Sequence, residues 1–203
     1  MRLVTEIIEV NKKRSRVFLN EEFAFVLYRG ELSHYGIEVG AELSEEAYEE
    51  IMAELVIRRA KLRALHILEA GDRSELELRA KLKQDYPEIA VDTAVEYVKS
   101  YRYVNDEEYA RRFVESNKSR KSARMLAIQL EQKGIDRELA EQLLEEAGDC
   151  EEEQIGKLIR QKVRPGEPLD QAKKQKVIAS LMRKGYPYEK IRRVLAEVCE
   201  GGF

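Results

Sequence analysis

Leu130-Glu131-Gln132-Lys133-Gly134-Ile135-Asp136 marks the point where one amphipathic helix ends and the next begins. Glycine adopts a left-handed backbone without steric cost, so Gly134 is the expected helix end. Asp136 can then accept hydrogen bonds from the free N–H groups of the following helix. Apolar residues at i, i+3, i+4 and i+7 indicate one buried face on each side: Ala123, Leu126, Ala127 and Leu130 before the turn, and Ala140, Leu143, Leu144 and Ala147 after it.

The same junction occurs twice more in the chain. Leu181 to Pro187 reproduces it around Gly185, and Leu82 to Pro87 reproduces it one residue shorter. The equivalent residues Tyr86, Ile135 and Tyr186 are 49 and 51 positions apart (135 − 86 and 186 − 135). Matching junctions at nearly constant spacing predict tandem repeats of one helical unit. Pro87 and Pro187 are expected at the first helical position, where the missing N–H costs nothing.

The predicted fold is mainly α, with three tandem three-helix repeats that form an elongated, curved array. Residues 1–43 differ, because short apolar and aromatic runs separated by turn residues predict a small antiparallel β meander of two or three strands. Such a module is marginal alone and should pack on the helices behind it. Helix is expected from Ser44 to Glu69, with a break near Leu55. Further helices are expected near 75–84, 88–100, 106–118, 121–133, 137–147, 151–162, 169–184 and 188–199, with a loop at 163–168. The predicted divisions are 1–56 for the N-terminal module and linking helix, 57–104 for the first repeat, 105–149 for the second and 150–203 for the third.

Composition excludes several classes of protein. The chain has 203 residues, 37% of them charged, with a net charge of −3, so nucleic-acid binding would depend on local patches. Two cysteines and two histidines support neither a disulfide framework nor a zinc cluster. No apolar run approaches the roughly 18 residues of a membrane span, and no signal peptide is evident, so we expect a soluble cytoplasmic protein. Without a phosphate loop or nucleophile elbow, we expect no enzyme, no catalytic or metal-binding residues, no cofactor and no small-molecule substrate.

Basic residues concentrate in two runs at equivalent positions of the second and third repeats. A solvated helix face explains either run alone, but their repetition favours contact with a phosphate backbone. Aromatic residues do not interleave with these runs, so base stacking is not indicated there, and sequence-specific readout has no support. The predicted DNA- or filament-binding residues are Arg111, Arg112, Lys118, Arg120, Lys121, Arg124, Lys173, Lys174, Lys176, Arg183 and Lys184.

Four of the ten tyrosines cluster in the sequence near the boundary between the first two repeats: Tyr97, Tyr101, Tyr103 and Tyr109. At helical spacing the first expectation is packing in a core or between repeats, with each hydroxyl at the rim. The second interpretation is a docking surface for a protein partner.

Three segments resemble the RecX family of regulators of the RecA recombinase, and the resemblance spans essentially the whole chain. Residues 129–139 are similar to the family's Glu-Leu-x-x-Lys-Gly-Ile segment, 103–111 to its Gly-Tyr-Leu-Asp-Asp-Glu-x-Tyr-Ala-Arg segment, and 73–78 to its Arg-Ser-x-x-Glu-Leu start. Residues 20–25 and 36–43 look like the extra module of longer members. Arg102 stands where a glycine is usual, and Gln84-Asp85 lack the Lys-Gly step, so the first repeat must end its helix differently.

The resemblance implies three-helix repeats that bind the RecA–DNA filament and suppress ATP hydrolysis and strand exchange, in homologous recombination, DNA repair and the SOS response. It adds Arg73 to the predicted protein-docking residues. The implied partners are the RecA filament and single- or double-stranded DNA without sequence preference, with no membrane, and the chain is expected to be a monomer. Two alternatives remain open: a nonspecific architectural DNA-binding protein, and a passive helical scaffold.

Overall fold

The computed structural model describes residues 1–163 and 170–200, and the predicted loop at 163–168 lies almost entirely outside them. The chain divides into two compact units between Asn105 and Asp106. The first unit contains a β-sheet and the helices up to residue 100. The second contains the remaining helices.

An antiparallel sheet of order β3-β2-β1-β4 opens the first unit. Its three longer strands form the predicted meander, but the prediction missed a fourth strand of two residues that pairs with the start of β1. A two-residue strand carries no periodicity, so the sequence gives no signal for it. The strands are β1 (Arg2–Asn11), β2 (Arg14–Leu19), β3 (Glu22–Tyr28) and β4 (Glu42–Leu43).

The helices of the first unit are α1 (Arg29–His34), α2 (Glu45–Glu50), α3 (Arg58–Glu69), α4 (Glu75–Leu82) and α5 (Glu88–Ser100). The last four follow the predicted order, but α1 was not predicted, because residues 1–43 were expected to form a β meander. Ser44 caps α2, accepting a hydrogen bond from Ala47 N at 3.1 Å. The predicted break near Leu55 is wrong: α2 continues into α3 through a π-helical segment, Ile51–Ile57.

One hydrophobic core joins the sheet to the helices of the first unit. Phe25 and Leu27 of β3 are fully buried in the same cluster as Leu78 and Leu82 of α4. A small sheet gains most of its stability from such burial, so the module packs on the helices behind it, as predicted.

The second unit contains two three-helix groups, each with its own apolar cluster. Leu130, Ile135 and Leu143 belong to the first cluster, and Ile159 and Leu181 to the second. The helices are α6 (Asp106–Asn117), α7 (Ala123–Gln132), α8 (Arg137–Glu146), α9 (Glu151–Lys162), α10 (Gln171–Arg183) and α11 (Tyr188–Glu200).

The predicted glycine turns have the expected geometry. Gly134 has φ +83° and Gly185 has φ +88°. In each turn the glycine N–H donates to the carbonyl three residues back, and the next residue donates to the carbonyl five residues back, which is the Schellman motif. Asp136 caps α8, accepting from Glu138 N at 2.8 Å and Leu139 N at 3.4 Å.

The junction of the first repeat ends its helix without a left-handed residue. Asp85 N and Tyr86 N both donate to Leu82 O, at 3.1 and 3.0 Å. Pro87 occupies the cap position of α5, one residue before the predicted one. The Pro87 carbonyl oxygen accepts a hydrogen bond from Val91 N at 3.0 Å, so the proline still begins α5, as its cap.

Helix α5 ends in a third Schellman turn, in which Arg102 takes the position of the glycine, at φ +58°. Arg102 N donates to Lys99 O at 2.8 Å, and Tyr103 N donates to Val98 O at 2.9 Å. A side chain strains this backbone, which glycine adopts without steric cost.

The fold class is as predicted: mainly helical, with three-helix units preceded by an antiparallel sheet. The domain boundaries and the elongated arrangement stay predictions.

Candidate nucleic-acid and filament interface

One hydrogen bond brings the two predicted basic runs together. The side-chain oxygen of Ser122, which caps α7, donates to Lys184 O at 2.8 Å. It also accepts from Met125 N at 3.3 Å. A Cβ added to Gly185 would lie 3.6 Å from the Cβ of Arg124, so the start of α7 and the end of α10 are in direct contact. Residues about 60 positions apart in sequence thus share one surface.

Several cations of this surface are not neutralised by neighbours. Arg124, Arg183 and Lys184 are exposed, and none makes a side-chain hydrogen bond or ion pair with a described residue. Lys176, which is exposed, and Lys174, which is half-buried, both on α10, likewise make no side-chain hydrogen bond or ion pair with a described residue. Uncompensated charge attracts phosphate more strongly than charge already paired with a carboxylate.

Arg120 and Lys121, in the connection before α7, are tethered by neutral partners only. Arg120 Nη2 donates to Ser116 O at 2.9 Å. Lys121 Nζ donates to Gln129 Oε1 at 2.7 Å and lies 5.3 Å from the ring centre of Phe113. Neither residue is paired with a carboxylate among the described residues, so the positive charge of each is uncompensated.

Three other predicted residues are paired with carboxylates. Arg111 bridges Glu107 and Glu146, Arg112 pairs with Glu108, and Lys118 pairs with Glu115. The hydrogen bonds that Arg111 donates to Glu146 and to Glu107 raise the pKa of Arg111 above its usual value. These residues contribute less to the positive potential than their number suggests. Lys173 is half-buried and has a partner of its own.

A buried polar network holds α9 and α11 against the α6–α7 connection. Gln154, 5% exposed, donates to Lys118 O and accepts from the hydroxyl of Tyr186 at 2.7 Å. Burial raises the pKa of the Tyr186 phenol, which stays protonated and able to donate. Satisfied buried polar groups fix one arrangement, because any other leaves them unpaired.

Glu151 makes the second link of this network. Its side chain, 8% exposed, accepts from Ala123 N at 2.9 Å and from Lys190 Nζ at 2.8 Å. Lys190 also reaches Asp149 at 2.5 Å. Burial alone lowers the pKa of Lys190, but its bonds to Asp149 and Glu151 outweigh burial, so the net shift is upward. Lys190 is therefore a structural cation.

A cleft of about 360 Å³ lies beside the network. Leu126, Leu144 and Ala147 form its apolar wall, and Lys118 and Lys121 stand at its rim. No group of His, Cys, Asp and Glu within the described residues is arranged to hold a metal ion. No helix in the described ranges combines the length and apolar character that a bilayer span requires.

The predicted tyrosine cluster is divided between the two units. Tyr97, Tyr101 and Tyr103 lie at the end of α5 in the first unit, where Tyr101 and Tyr103 are 57% and 58% exposed. These two side chains are therefore not packed in the core of the first unit, and their packing between repeats stays a prediction. Tyr109 belongs to the second unit and stacks on Phe113 at 6.4 Å between ring centres. Arg73, in the α3–α4 turn, donates to Asp72 O at 2.9 Å.

The residues that join the repeats were not predicted as site residues: Ser122, Glu151, Gln154 and Lys190. Ser122 could have been found, because a serine before an apolar-periodic run is a typical helix cap. Glu107 and Glu108 also lie four residues before Arg111 and Arg112, a spacing that predicts pairing. Glu151 and Lys190, 39 residues apart, carry no such local signal.

Models of three RecX domains match the helical part of the chain: the first three-helix domain at residues 60–97, the second at 105–144 and the third at 149–195. The regulatory protein RecX of Caldanaerobacter subterraneus subsp. tengcongensis is 31% identical over 198 residues, covering 95% of this chain and 98% of the relative. That of Clostridioides difficile is 28% identical over 201 residues, covering 96% and 95%.

Solved structures support the same fold. A crystal structure of regulatory protein RecX aligns over 97% of this chain and 100% of its own, with a TM-score of 0.64 and 23% identity. RecX from Lactobacillus salivarius aligns over 70% of this chain and 96% of its own, with a TM-score of 0.60 and 26% identity. The domain models and the full-length relatives agree, and the chain belongs to the RecX regulatory protein family.

Proposed function

We propose that this chain binds the RecA–DNA filament and inhibits its ATP hydrolysis and strand exchange, acting in recombinational DNA repair without catalysis of its own. Family membership supports a RecA-directed regulator. The observation that carries the proposal is the contact between the two basic runs, with Arg124, Arg183 and Lys184 unpaired around Ser122.

The proposed binding step is electrostatic. Arg120 and Lys121 add to the three unpaired cations, so five positive charges stand around one junction. Such a surface contacts phosphates without reading bases, which suits a partner that covers DNA of any sequence. The buried network of Glu151 and Gln154 fixes the distance between the charges and thus their match to a backbone.

Inhibition follows if the bound chain favours one filament arrangement over another. ATP turnover requires the filament to alternate between states. A ligand that binds one state more tightly shifts the population toward it by that difference in affinity. No side chain of this protein needs to enter the ATP site.

The test is ATP hydrolysis by RecA on single-stranded DNA with increasing amounts of this protein. We expect inhibition by the natural chain and at least tenfold weaker inhibition by the variant Arg124→Glu, Lys184→Glu, which reverses one charge from each run. The matched control is Arg137→Glu, Lys157→Glu. It makes the same charge change at exposed residues paired with Glu141 and Glu153, and we expect it to inhibit normally. Equal loss in both variants, or no inhibition by the natural chain, contradicts the proposal.

A second candidate is a nonspecific DNA-binding architectural protein, favoured by the same unpaired cations and the lack of a base-reading motif. Binding through phosphates alone weakens steeply with salt. A regulator docked on protein should keep much of its affinity for RecA-coated DNA at salt concentrations that release it from bare DNA.

A further inference from the structure

Three tyrosine rings form a continuous row at the end of α5. Tyr97 meets Tyr101 edge to face at 5.1 Å between ring centres, and Tyr101 stacks on Tyr103 at 5.8 Å with 15° between the planes. More than half of Tyr101 and of Tyr103 is exposed. None of the three hydroxyls has a hydrogen-bond partner among the described residues.

The left-handed turn at Arg102 creates this row. Arg102 reverses the chain between Tyr101 and Tyr103, and Tyr103 is held by its backbone bond to Val98 O at 2.9 Å. Val104 is buried just beyond, which anchors the turn on the core. The backbone that carries the two exposed rings is therefore held in place before any ligand arrives, which lowers the conformational entropy lost on binding.

Positive charge without acidic compensation borders the row. Lys61 Nζ lies 5.0 Å from the ring centre of Tyr97 and has no carboxylate partner in the described ranges. Arg102 is exposed and has no side-chain partner there either. Lys99, by contrast, is paired with Glu75 and Glu96. Aromatic and basic residues thus alternate along Tyr101-Arg102-Tyr103.

We propose that this row is a stacking site for the unpaired bases of single-stranded nucleic acid, with Lys61 and Arg102 contacting the adjoining phosphates. Every base has a π-face, so exposed rings stack on bases without reading sequence, and flanking cations follow the backbone. Bases paired within a duplex are already stacked and cannot occupy the rings. Apolar docking of a protein would not require the uncompensated cations, and the charge favours a polyanion. This site replaces the sequence-based assignment of Tyr97, Tyr101 and Tyr103 to protein docking.

The site lies in the first unit and is independent of the basic junction of the second. It adds strand selectivity to the proposed function. The junction binds any phosphate backbone, whereas the tyrosine row binds only where bases are free. The two contributions can be measured separately with oligonucleotides that differ in bases but not in charge.

The experiment compares a fluorescein-labelled fifteen-residue oligo(dT) with an abasic oligonucleotide of the same length, by anisotropy on the full chain. We expect the natural chain to prefer oligo(dT) by about tenfold or more, the scale of one or two stacked bases. Tyr101→Ala, Tyr103→Ala should remove this preference and leave abasic binding unchanged. Tyr101→Phe, Tyr103→Phe keeps the rings and should keep the preference. Tyr188→Ala, which removes a tyrosine 46% exposed in the second unit, is the matched control.

Two results overturn the proposal. Either the natural chain binds both oligonucleotides equally, or the double alanine variant, folded by circular dichroism, retains the full preference. If that variant binds oligo(dT) normally but no longer inhibits RecA, the row faces protein instead. Failure of the proposed function is distinct: the natural chain would then not inhibit ATP hydrolysis by RecA, while it would still prefer oligo(dT) to the abasic oligonucleotide.

Discussion

At the scale of single residues, the position after α5 demands a backbone that only glycine adopts freely. Arg102 holds φ +58° there, and both Schellman hydrogen bonds depend on it. A side chain in this conformation destabilises the folded chain by about 1–2 kcal/mol. Glycine avoids this strain, but its greater conformational freedom in the unfolded chain cancels part of the gain.

Arg102→Gly should therefore stabilise the first unit by about 0.5–1 kcal/mol. Arg102→Ala, which removes the charge but keeps the strain, should give no such gain. Thermal unfolding measures the effect, and hydrogen exchange of the α5 amides locates it. If alanine stabilises as much as glycine, the side chain and not the backbone causes the strain.

At Gly185 a side chain is disfavoured for two reasons, the positive φ and the lack of space for a Cβ atom. An added Cβ would lie 2.6 Å from Ser122 Oγ. Gly185→Ala should cost about 2–3 kcal/mol, combining backbone strain with loss of the Ser122 cap. Gly148→Ala is the control, since Gly148 has φ +76° but nothing within 4 Å of its added Cβ. We expect it to cost only about 1 kcal/mol in urea unfolding, and similar losses at both sites would refute the packing argument.

At the scale of elements, an ion pair attaches the β module to the helices. Glu31 of α1 accepts from Arg59 Nη1 of α3 at 3.0 Å and from Tyr28 N at 2.9 Å. The Arg59 guanidinium also lies 4.9 Å from the ring centre of Tyr28. Burial alone raises the pKa of Glu31, but the hydrogen bonds from Arg59 and Tyr28 more than offset it, so the pKa lies below its usual value of 4.5.

A depressed carboxyl pKa predicts the direction of the pH dependence. The stabilisation is fully present above the unfolded value of 4.5 and is lost as pH falls through the lower folded value. Glu31→Gln should cost about 1–2 kcal/mol at pH 7, because the Arg59 charge loses its partner, and less at an acidic pH below 4.5. Urea unfolding at both pH values measures this. A constant difference between variant and natural chain would exclude ionisation of Glu31 as the cause.

Elements whose sequence has periodic apolar residues or a capping residue could be predicted, and elements that have neither could not. The apolar spacing and capping residues located α5 and α9 at their observed bounds. The π-helical segment Ile51–Ile57 was not predicted, because its spacing of buried residues differs little from that of an interrupted α-helix. In the candidate site, local sequence located the basic runs but not their contact, because the Ser122–Lys184 bond joins two repeats.

At the scale of the whole molecule, charge is segregated. Residues 1–55 carry 12 acidic and 6 basic side chains, and the net charge of the chain is −3. Phosphate binding therefore depends on a local field that salt screens over about 8–10 Å. The five uncompensated cations belong to two segments that are in contact at Ser122, while paired residues such as Arg111 contribute little.

The difference between uncompensated and paired cations predicts a specific salt dependence for binding to single-stranded DNA. On an abasic strand, which the tyrosine row does not bind, five phosphate contacts at roughly 0.7 counterions each give a slope of about −3.5 in a plot of log K against log salt concentration. Arg183→Gln, Lys184→Gln should reduce the magnitude of that slope by about 1.4, since two contacts are lost. Arg137→Gln, Lys157→Gln removes equal charge from paired residues and should leave the slope unchanged. Abasic oligonucleotides exclude any contribution from base stacking. If both variants change the slope equally, the DNA responds to overall charge, and the five residues around Ser122 have no special role.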